Sequence, residues 1–307
     1  MTKIEDKTVC VTGAAGFIGS SLCRGLLKKG ANIIALDKFS GWQRDNLKEI
    51  EKDIEIVRAD ITDINSLRDP ISRSQIVFHL AAIDNRVTCR ENFPLVFDVN
   101  IKGTFNVASL CSNLDKMVYM SSNMVYGEQR YLPIDENHPL DGRDPYAVSK
   151  ITSEYLFKAF DFIQDLPYTI VRNFNTFGPR QNIESLIPSI IMEGLTKDQI
   201  DVWTPSVLRD FQYVEDCTDA LIEIVESDST LHEIVNLGSG RGTTTGELAN
   251  IVCEYLNTSW VDLKKPAPES SKFVSDITKI QALTKWKPRM TLEEGLRRTI
   301  DYYRETV

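Results

Sequence analysis

The first 120 residues alternate short, continuously apolar runs with stretches of helical periodicity, and no other feature restricts the fold as much. Strands are predicted at Thr8-Val9-Cys10-Val11-Thr12 and over 32–36, 54–58, 76–80 and 117–120. A helix is predicted over 17–29, stopped by Gly30, and a long helical pattern covers 92–114. Strands apolar on both faces and separated by helices predict a parallel sheet covered on both sides. After Tyr168-Thr169-Ile170-Val171 the rhythm loosens. Short strands are expected over 200–203, 211–214 and 233–237, with helical patterns beginning near Ile183, Glu215, Thr245, Asp276 and Leu292. The expected fold is α/β: a Rossmann-type doubly wound parallel sheet over 1–175, with a smaller mixed α/β substrate lobe over 176–307 interleaved with it.

Within this frame Thr12-Gly13-Ala14-Ala15-Gly16-Phe17-Ile18-Gly19 follows the first strand and opens the first helix. The spacing is G-x-x-G-x-x-G. Gly13 permits a tight turn, Gly16 lets a pyrophosphate approach the backbone, and Gly19 allows close helix–strand packing. The helix start offers N–H groups and a positive dipole end to phosphates. Asp37 ends the second strand, 18 residues after Gly19. A carboxylate there accepts from ribose hydroxyls and repels a 2′-phosphate, which favours NAD over NADP. Lys38 beside it softens that preference. Asp60-Ile61, after the third strand, is placed to meet the adenine.

A second constellation lies in Asp144-Pro145-Tyr146-Ala147-Val148-Ser149-Lys150, at the start of an amphipathic helix. Positions i and i+4 share a helix face, so Tyr146 and Lys150 project side by side. An ammonium next to a phenol lowers its pKa and suits it to exchange a proton with a sugar hydroxyl or carbonyl. Ser121-Ser122-Asn123 ends the preceding strand, where open α/β sheets bind their ligands, and Ser122 can bridge Tyr146 to a substrate.

Together these residues resemble the extended short-chain dehydrogenase/reductase family, in its nucleotide-sugar epimerase/dehydratase branch. The resemblance extends through His79-Leu80-Ala81-Ala82, Asn100 with Gly103-Thr104, the stretches 121–127 and 175–179, Arg209-Asp210-Phe211 with Val214-Glu215-Asp216, and Trp286-Lys287-Pro288. It implies tightly held NAD, working as a recycled cofactor in a cycle like that of UDP-galactose 4-epimerases. Tyr146, Ser122 and Lys150 would be catalytic. The NAD contacts implied are Gly13, Gly16, Phe17, Ile18, Gly19, Asp37, Lys38, Ser40, Gly41, Asp60, Ile61, Leu80, Ala81, Ala82, Asn100, Tyr146, Lys150 and Phe174. Ser122, Asn123, Asn175 and Arg209 would face a UDP-sugar, with Arg209 on its diphosphate. The family also pairs into homodimers through helices matching 92–114 and 146–160.

Departures from the family pattern narrow the reaction. Dehydratases and decarboxylases of the branch carry an acid two residues after the position of Ser122, and dehydratases carry Asp at that of Asn123; here Met124 and Asn123 stand there. A methionine cannot exchange the proton that elimination requires, so C4 epimerisation of a UDP-hexose is expected ahead of dehydration or 4-keto-sugar reduction. Trp203-Thr204-Pro205 replaces a glycine-rich turn, and Trp203 is either a base-stacking ring or core. No arginine stands near Pro266, where the family often has one for the diphosphate, and Lys272 is the candidate substitute. Arg86 occupies a usually apolar spot, which fits a structural ion pair or a charged sugar.

The rest of the composition excludes other classes. A net charge of −9 disfavours nucleic acid and anionic membranes as partners. No apolar run approaches the roughly 20 residues of a membrane helix, and 1–7 lack the apolar stretch of a secretory leader. The six cysteines form no C-x-x-C pair and the three histidines are far apart, so no metal site is expected. A cytoplasmic enzyme is the resulting expectation.

Overall fold

The computed structural model describes residues 3–39, 42–267 and 271–306. Ser40 and Gly41, expected against the cofactor, lie outside the described residues. The chain begins with β1 (Thr8–Thr12), α1 (Phe17–Lys28), β2 (Asn32–Asp37), β3 (Glu55–Arg58), α2 (Ile64–Ser72) and β4 (Ile76–His79). It continues with α3 (Arg86–Glu91), α4 (Phe93–Val96), α5 (Thr104–Ser109), β5 (Lys116–Ser122), α6 (Pro145–Gln164) and β6 (Tyr168–Asn173). The seven-stranded sheet runs β3-β2-β1-β4-β5-β6 and ends on β10 (Glu233–Leu237), every pair parallel.

Period-two alternation explains why both faces are covered. Val9 and Val11, Ile33 and Ala35, and Ile76 and Phe78 join one apolar cluster with Leu22 and Leu26 of α1. The intervening Cys10, Ile34, Leu36 and Val77 join the opposite cluster with Phe157 of α6. Burying such a side chain stabilises by roughly 1.5–3 kcal/mol. The strand order reverses between β1 and β4, and the carboxyl ends of these two strands form the crevice where doubly wound sheets take ligands.

The second lobe comprises β7 (Asn175–Phe177), α7 (Leu186–Thr196), β8 (Gln199–Val202), β9 (Leu208–Tyr213), β11 (Gly242–Thr244), α9 (Thr245–Leu256), β12 (Ser259–Asp262), α10 (Thr278–Leu283) and α11 (Leu292–Thr306). It forms a three-stranded sheet β11-β9-β7 and a pair β12-β8. Between these pieces the chain returns to the first sheet. α8 (Val214–Glu226) supplies Cys217, Leu221 and Ile224 to the cluster around α1, and β10 pairs with β6.

The helical pattern over 92–114 is not one regular helix. Asn92 caps α4 by accepting from Leu95 N, Pro94 sits in the first turn, and residues Phe97–Gly103 form a π-helical stretch before α5. The wider turn leaves the Asn100 carbonyl to accept from the hydroxyls of Thr104, at 2.6 Å, and Ser153, at 3.0 Å. Side-chain hydroxyls replace the regular ladder at this point, an arrangement often found beside functional sites.

Candidate functional site

The glycine loop is held by its neighbours. Gly13 has φ +71°, and a β-carbon there would lie 2.8 Å from Ala81 N, so the turn packs against the end of β4. A β-carbon on Gly19 would overlap the Gly13 carbonyl oxygen. Gly16 caps α1 and offers no side chain, leaving the first-turn N–H groups of Phe17, Ile18 and Gly19 for an anion. Asp37 accepts from Ala15 N at 3.0 Å and from Phe39 N at 2.9 Å, fixing its carboxylate beside the loop. Lys38 pairs with Asp60 at 2.9 Å, so its charge is largely answered within the protein. An uncapped helix start beside a fixed, unneutralised carboxylate fits a dinucleotide diphosphate and an unphosphorylated ribose.

His79 ends β4 between the hydroxyls of Thr12, at 2.7 Å, and Thr104, at 2.9 Å. Burial pushes its pKa down to about 3, so it stays neutral and ties β1 to α5. Leu80, Ala81 and Ala82 follow on the rim of the crevice, partly open. Ile61 is buried and packs where a β-carbon on Gly103 would fall, and Phe174 is buried with Tyr126 and Phe273. Asn100 is only 1% exposed. Its amide accepts from Ile83 N at 2.7 Å and donates to Ile83 O and to Ser149 Oγ, both at 3.0 Å. It therefore shapes the loop after β4 from behind.

α6 starts where Asp144 accepts from Ala147 N at 2.8 Å and Pro145 occupies the first helical position. Tyr146 and Lys150 consequently share a face, with the Lys150 ammonium 5.7 Å from the centre of the Tyr146 ring and 4.8 Å from that of Tyr119. Lys150 donates to Met120 O at 2.7 Å, which binds α6 to β5 just before Ser122. Burial lowers its pKa to about 8, while Asp84 and Glu154 act the other way. The Ser122 hydroxyl donates to Asn123 Oδ1 at 3.4 Å and accepts from Met124 N at 3.2 Å, and it lies near enough to the Tyr146 phenol to lower its pKa.

One electrostatic expectation is corrected. The pairing with Lys150 predicted a lowered phenol pKa; in the folded chain burial and then Asp84 push it up, and the nearby Ser122 side chain only partly opposes them. Asp84 was missed by sequence reading because it carries no motif. It is open to the crevice but lies deep within it, and burial raises its carboxyl above the ordinary value. A cavity of about 50 Å³ beside Tyr146 is lined by Asp84, Arg86, Cys89, Arg90, Met124 and Asp144, among others.

Across the crevice, β9 carries Arg209, whose guanidinium lies 5.2 Å from the Phe273 ring centre. Burial, and then the charge of Arg86, lower its pKa to about 10. The next residue, Asp210, is fully buried and accepts from the backbone N–H groups of Ser239, Gly240 and Ser275, so β9 is fixed on both sides of the loops it meets. The buried side-chain oxygen of Asn175, on β7 beside β9, has no hydrogen-bond partner among the described residues. Asn123 is buried next to Ser122, Trp203 is 68% exposed, and Lys272 bridges to Leu208 on the Arg209 strand. The structural ion pair foreseen for Arg86 is not formed: among the described residues its polar contact is Met124 Sδ at 3.4 Å.

The glycine loop lies at the β1/β4 crevice and the Tyr146/Lys150 pair on α6, and comparison with known proteins supplies the family. The model of the NAD dependent epimerase/dehydratase family matches residues 9–238. This chain belongs to that family. It is 33% identical over 305 residues to a putative UDP-glucose 4-epimerase of Methanocaldococcus jannaschii, covering 96% of this chain and 97% of that one. The structure of epimerase Mth375 from Methanothermobacter thermautotrophicus superposes with a TM-score of 0.93 at 30% identity, covering 99% of this chain and 94% of that one. UDP-glucuronic acid 4-epimerase from Bacillus cereus, solved with UDP-glucuronic acid and NAD, superposes with a TM-score of 0.89 at 27% identity, covering 98% and 100%. As an NAD-dependent family member the chain is an enzyme whose glycine loop, Asp37 and crevice-facing Tyr146/Lys150 pair suit that cofactor. No helix among the described residues is long and apolar enough to cross a membrane.

Proposed function

We propose that this enzyme inverts C4 of a UDP-hexose through a transient 4-keto sugar, with NAD retained and recycled. The carrying observation is the constellation at the end of β5: the Tyr146 phenol near Ser122, Lys150 buried beside its ring, and Met124 where elimination would need an acid. NAD supplies a site that accepts and returns hydride. Tyr146, once ionised against the burial that raises its phenol, takes the C4 hydroxyl proton and later gives it back, Ser122 holds that hydroxyl in line, and the Lys150 ammonium 5.7 Å from the ring centre is the cation placed to stabilise the phenolate. Arg209 holds the diphosphate through charge-assisted bonds, and the unpartnered side-chain oxygen of Asn175 can accept from a hydroxyl of the same ligand. Ketone formation at C4 followed by return to the other face needs no net oxidant, which suits a cofactor site that Asp37 biases toward NAD.

The chain is further proposed to act as a homodimer in the cytoplasm. Phe97, Phe105, Tyr155 and Phe162, beside or on α5 and α6, are 50%, 46%, 60% and 93% exposed, an apolar face suited to a second copy. All six cysteines are free thiols, as a reducing compartment maintains. Light scattering at micromolar concentration should give twice the chain mass; a monomer overturns the pairing.

Proton NMR of the purified enzyme with UDP-glucose, UDP-N-acetylglucosamine or UDP-glucuronate, without added cofactor, tests the reaction. A new anomeric signal at constant total sugar is expected. A methyl signal from a 4-keto-6-deoxy product would instead establish a dehydratase, with Asp84 the carboxylate placed to carry the proton. Turnover only with NADPH and a 4-keto sugar would establish a reductase. Tyr146→Phe should lower turnover by roughly 10²–10⁴-fold with NAD binding intact.

A further inference from the structure

Arg86 is a cation on the crevice cavity beside Tyr146 that forms no ion pair among the described residues. It opens α3, borders the cavity that reaches Tyr146, and lays its guanidinium 3.4 Å from Met124 Sδ. A thioether is a weak, uncharged acceptor. Two carboxylates line the same cavity, and neither forms an ion pair with Arg86 or with its neighbour Arg90. Asp144 is engaged in capping α6, and Asp84 acts electrostatically on Lys150 and Tyr146. Arg86 also faces Arg209, close enough for the two positive charges to oppose each other.

We propose that Arg86 is a specificity residue that binds a carboxylate carried on the sugar, so that the substrate class is a nucleoside-diphosphate uronic acid. The inference rests on the epimerase reading and extends it from the reaction to the substrate. The covalent structure of the sugar gives the direction. With the C4 hydroxyl on Tyr146, the adjacent substituents are the C3 hydroxyl and the group on C5, of which only the C5 carboxylate of a uronic acid is charged, and the cavity bordered by Arg86 adjoins the same phenol. The diphosphate leaves the sugar from C1, across the ring. Guanidinium is the side chain best matched to a carboxylate, which it can hold through two parallel N–H donors. A local cation is also required on general grounds: with a net charge of −9 the enzyme repels an additional negative charge unless the crevice itself is positive.

An anionic oxygen of the diphosphate shares the chemistry of a carboxylate, and the experiment separates the two. Turnover of UDP-glucuronate and UDP-glucose is measured for wild type, Arg86→Gln and Arg86→Lys, together with competitive inhibition by UDP. Wild type should prefer UDP-glucuronate. Arg86→Gln should lower kcat/KM for UDP-glucuronate by roughly 10- to 100-fold, the range of one charge-assisted contact, chiefly through KM. It should leave UDP-glucose and UDP inhibition within about threefold, and Arg86→Lys should recover part of the loss. Arg86 is exposed, so an unchanged thermal midpoint is expected and shows that the variant folds. Equal losses on both sugars and on UDP would make Arg86 a phosphate contact and overturn the proposal, as would no loss on either, or a wild-type preference for UDP-glucose. If wild type turns over no UDP-sugar, the epimerase reading fails by itself. Calorimetric binding of UDP-glucuronate and UDP-glucose to wild type and Arg86→Gln then decides the carboxylate contact separately, through the same selective loss.

Discussion

Replacing Asn100 by alanine should both destabilise the fold and damage the active site, and the size of the first effect follows from its contacts. The amide makes three hydrogen bonds, two of them to the backbone of Ile83, at 1% exposure. Each contributes about 1 kcal/mol net, and a buried N–H or C=O left without a partner costs about 1–3 kcal/mol. The expected loss is therefore about 3 kcal/mol, or a fall in Tm of about 6–12 °C at 2–4 °C per kcal/mol. Urea unfolding followed by fluorescence measures the first, and scanning calorimetry the second. Ile83 immediately precedes Asp84, so releasing it frees the loop that faces Tyr146 and Lys150, and kcat should fall along with stability. Asn100→Asp sharpens the test. It keeps an acceptor for Ile83 N but turns an oxygen toward Ile83 O, so it should be worse than alanine despite being closer in shape. A loss below about 1 kcal/mol for alanine, with normal kcat, would refute the reasoning, because that is the share of a single bond.

Other expectations follow from the same geometry. Glu154 and Arg172 form a buried ion pair at 2.8 Å, and Glu154→Ala should cost about 3–5 kcal/mol by leaving the guanidinium uncompensated. Glu154→Leu combined with Arg172→Met should cost much less in the same urea measurement. Lys150 titrates at about 8 when folded against 10.5 ordinarily. Below pH 8 both folded and unfolded chains hold this proton and the burial penalty is complete. Between 8 and 10.5 the unfolded chain binds more protons, so this group makes stability rise with pH. Lys150→Met should lack that rise and gain on the order of 1–3 kcal/mol at pH 7, read as the difference between the two pH profiles. Gly19→Ala should abolish NAD binding, measured by cofactor fluorescence, because its β-carbon would overlap the Gly13 carbonyl.

Legibility in the sequence followed distance along the chain. The strands of the first half, the loop from Gly13 to Gly19, Asp37 at a strand end and the Tyr146/Lys150 face all rest on local periods of two residues, 3.6 residues, or one turn. These periods act wherever the chain goes, so the residues alone determined them. The π-helical stretch at Phe97–Gly103 did not show, because it depends on the Ser153 hydroxyl arriving from α6. The elevated Tyr146 phenol did not show either: i to i+4 spacing reveals the ammonium but not the burial that outweighs it.

What only the tertiary structure decided is which distant segments meet. That β10 closes the large sheet beside β6, while β9 and β11 do not, depends on which edge was left open and on α8 covering α1. The charges of Arg86 and Arg209 act on each other, and Asp84 bears on Lys150, only because the sheet places those loops at the carboxyl ends of its strands. Local spacing is written in the chemistry of neighbours along the chain. The charge balance of a crevice is a sum over loops whose approach depends on the packing of the whole fold, and no single stretch of sequence contains it.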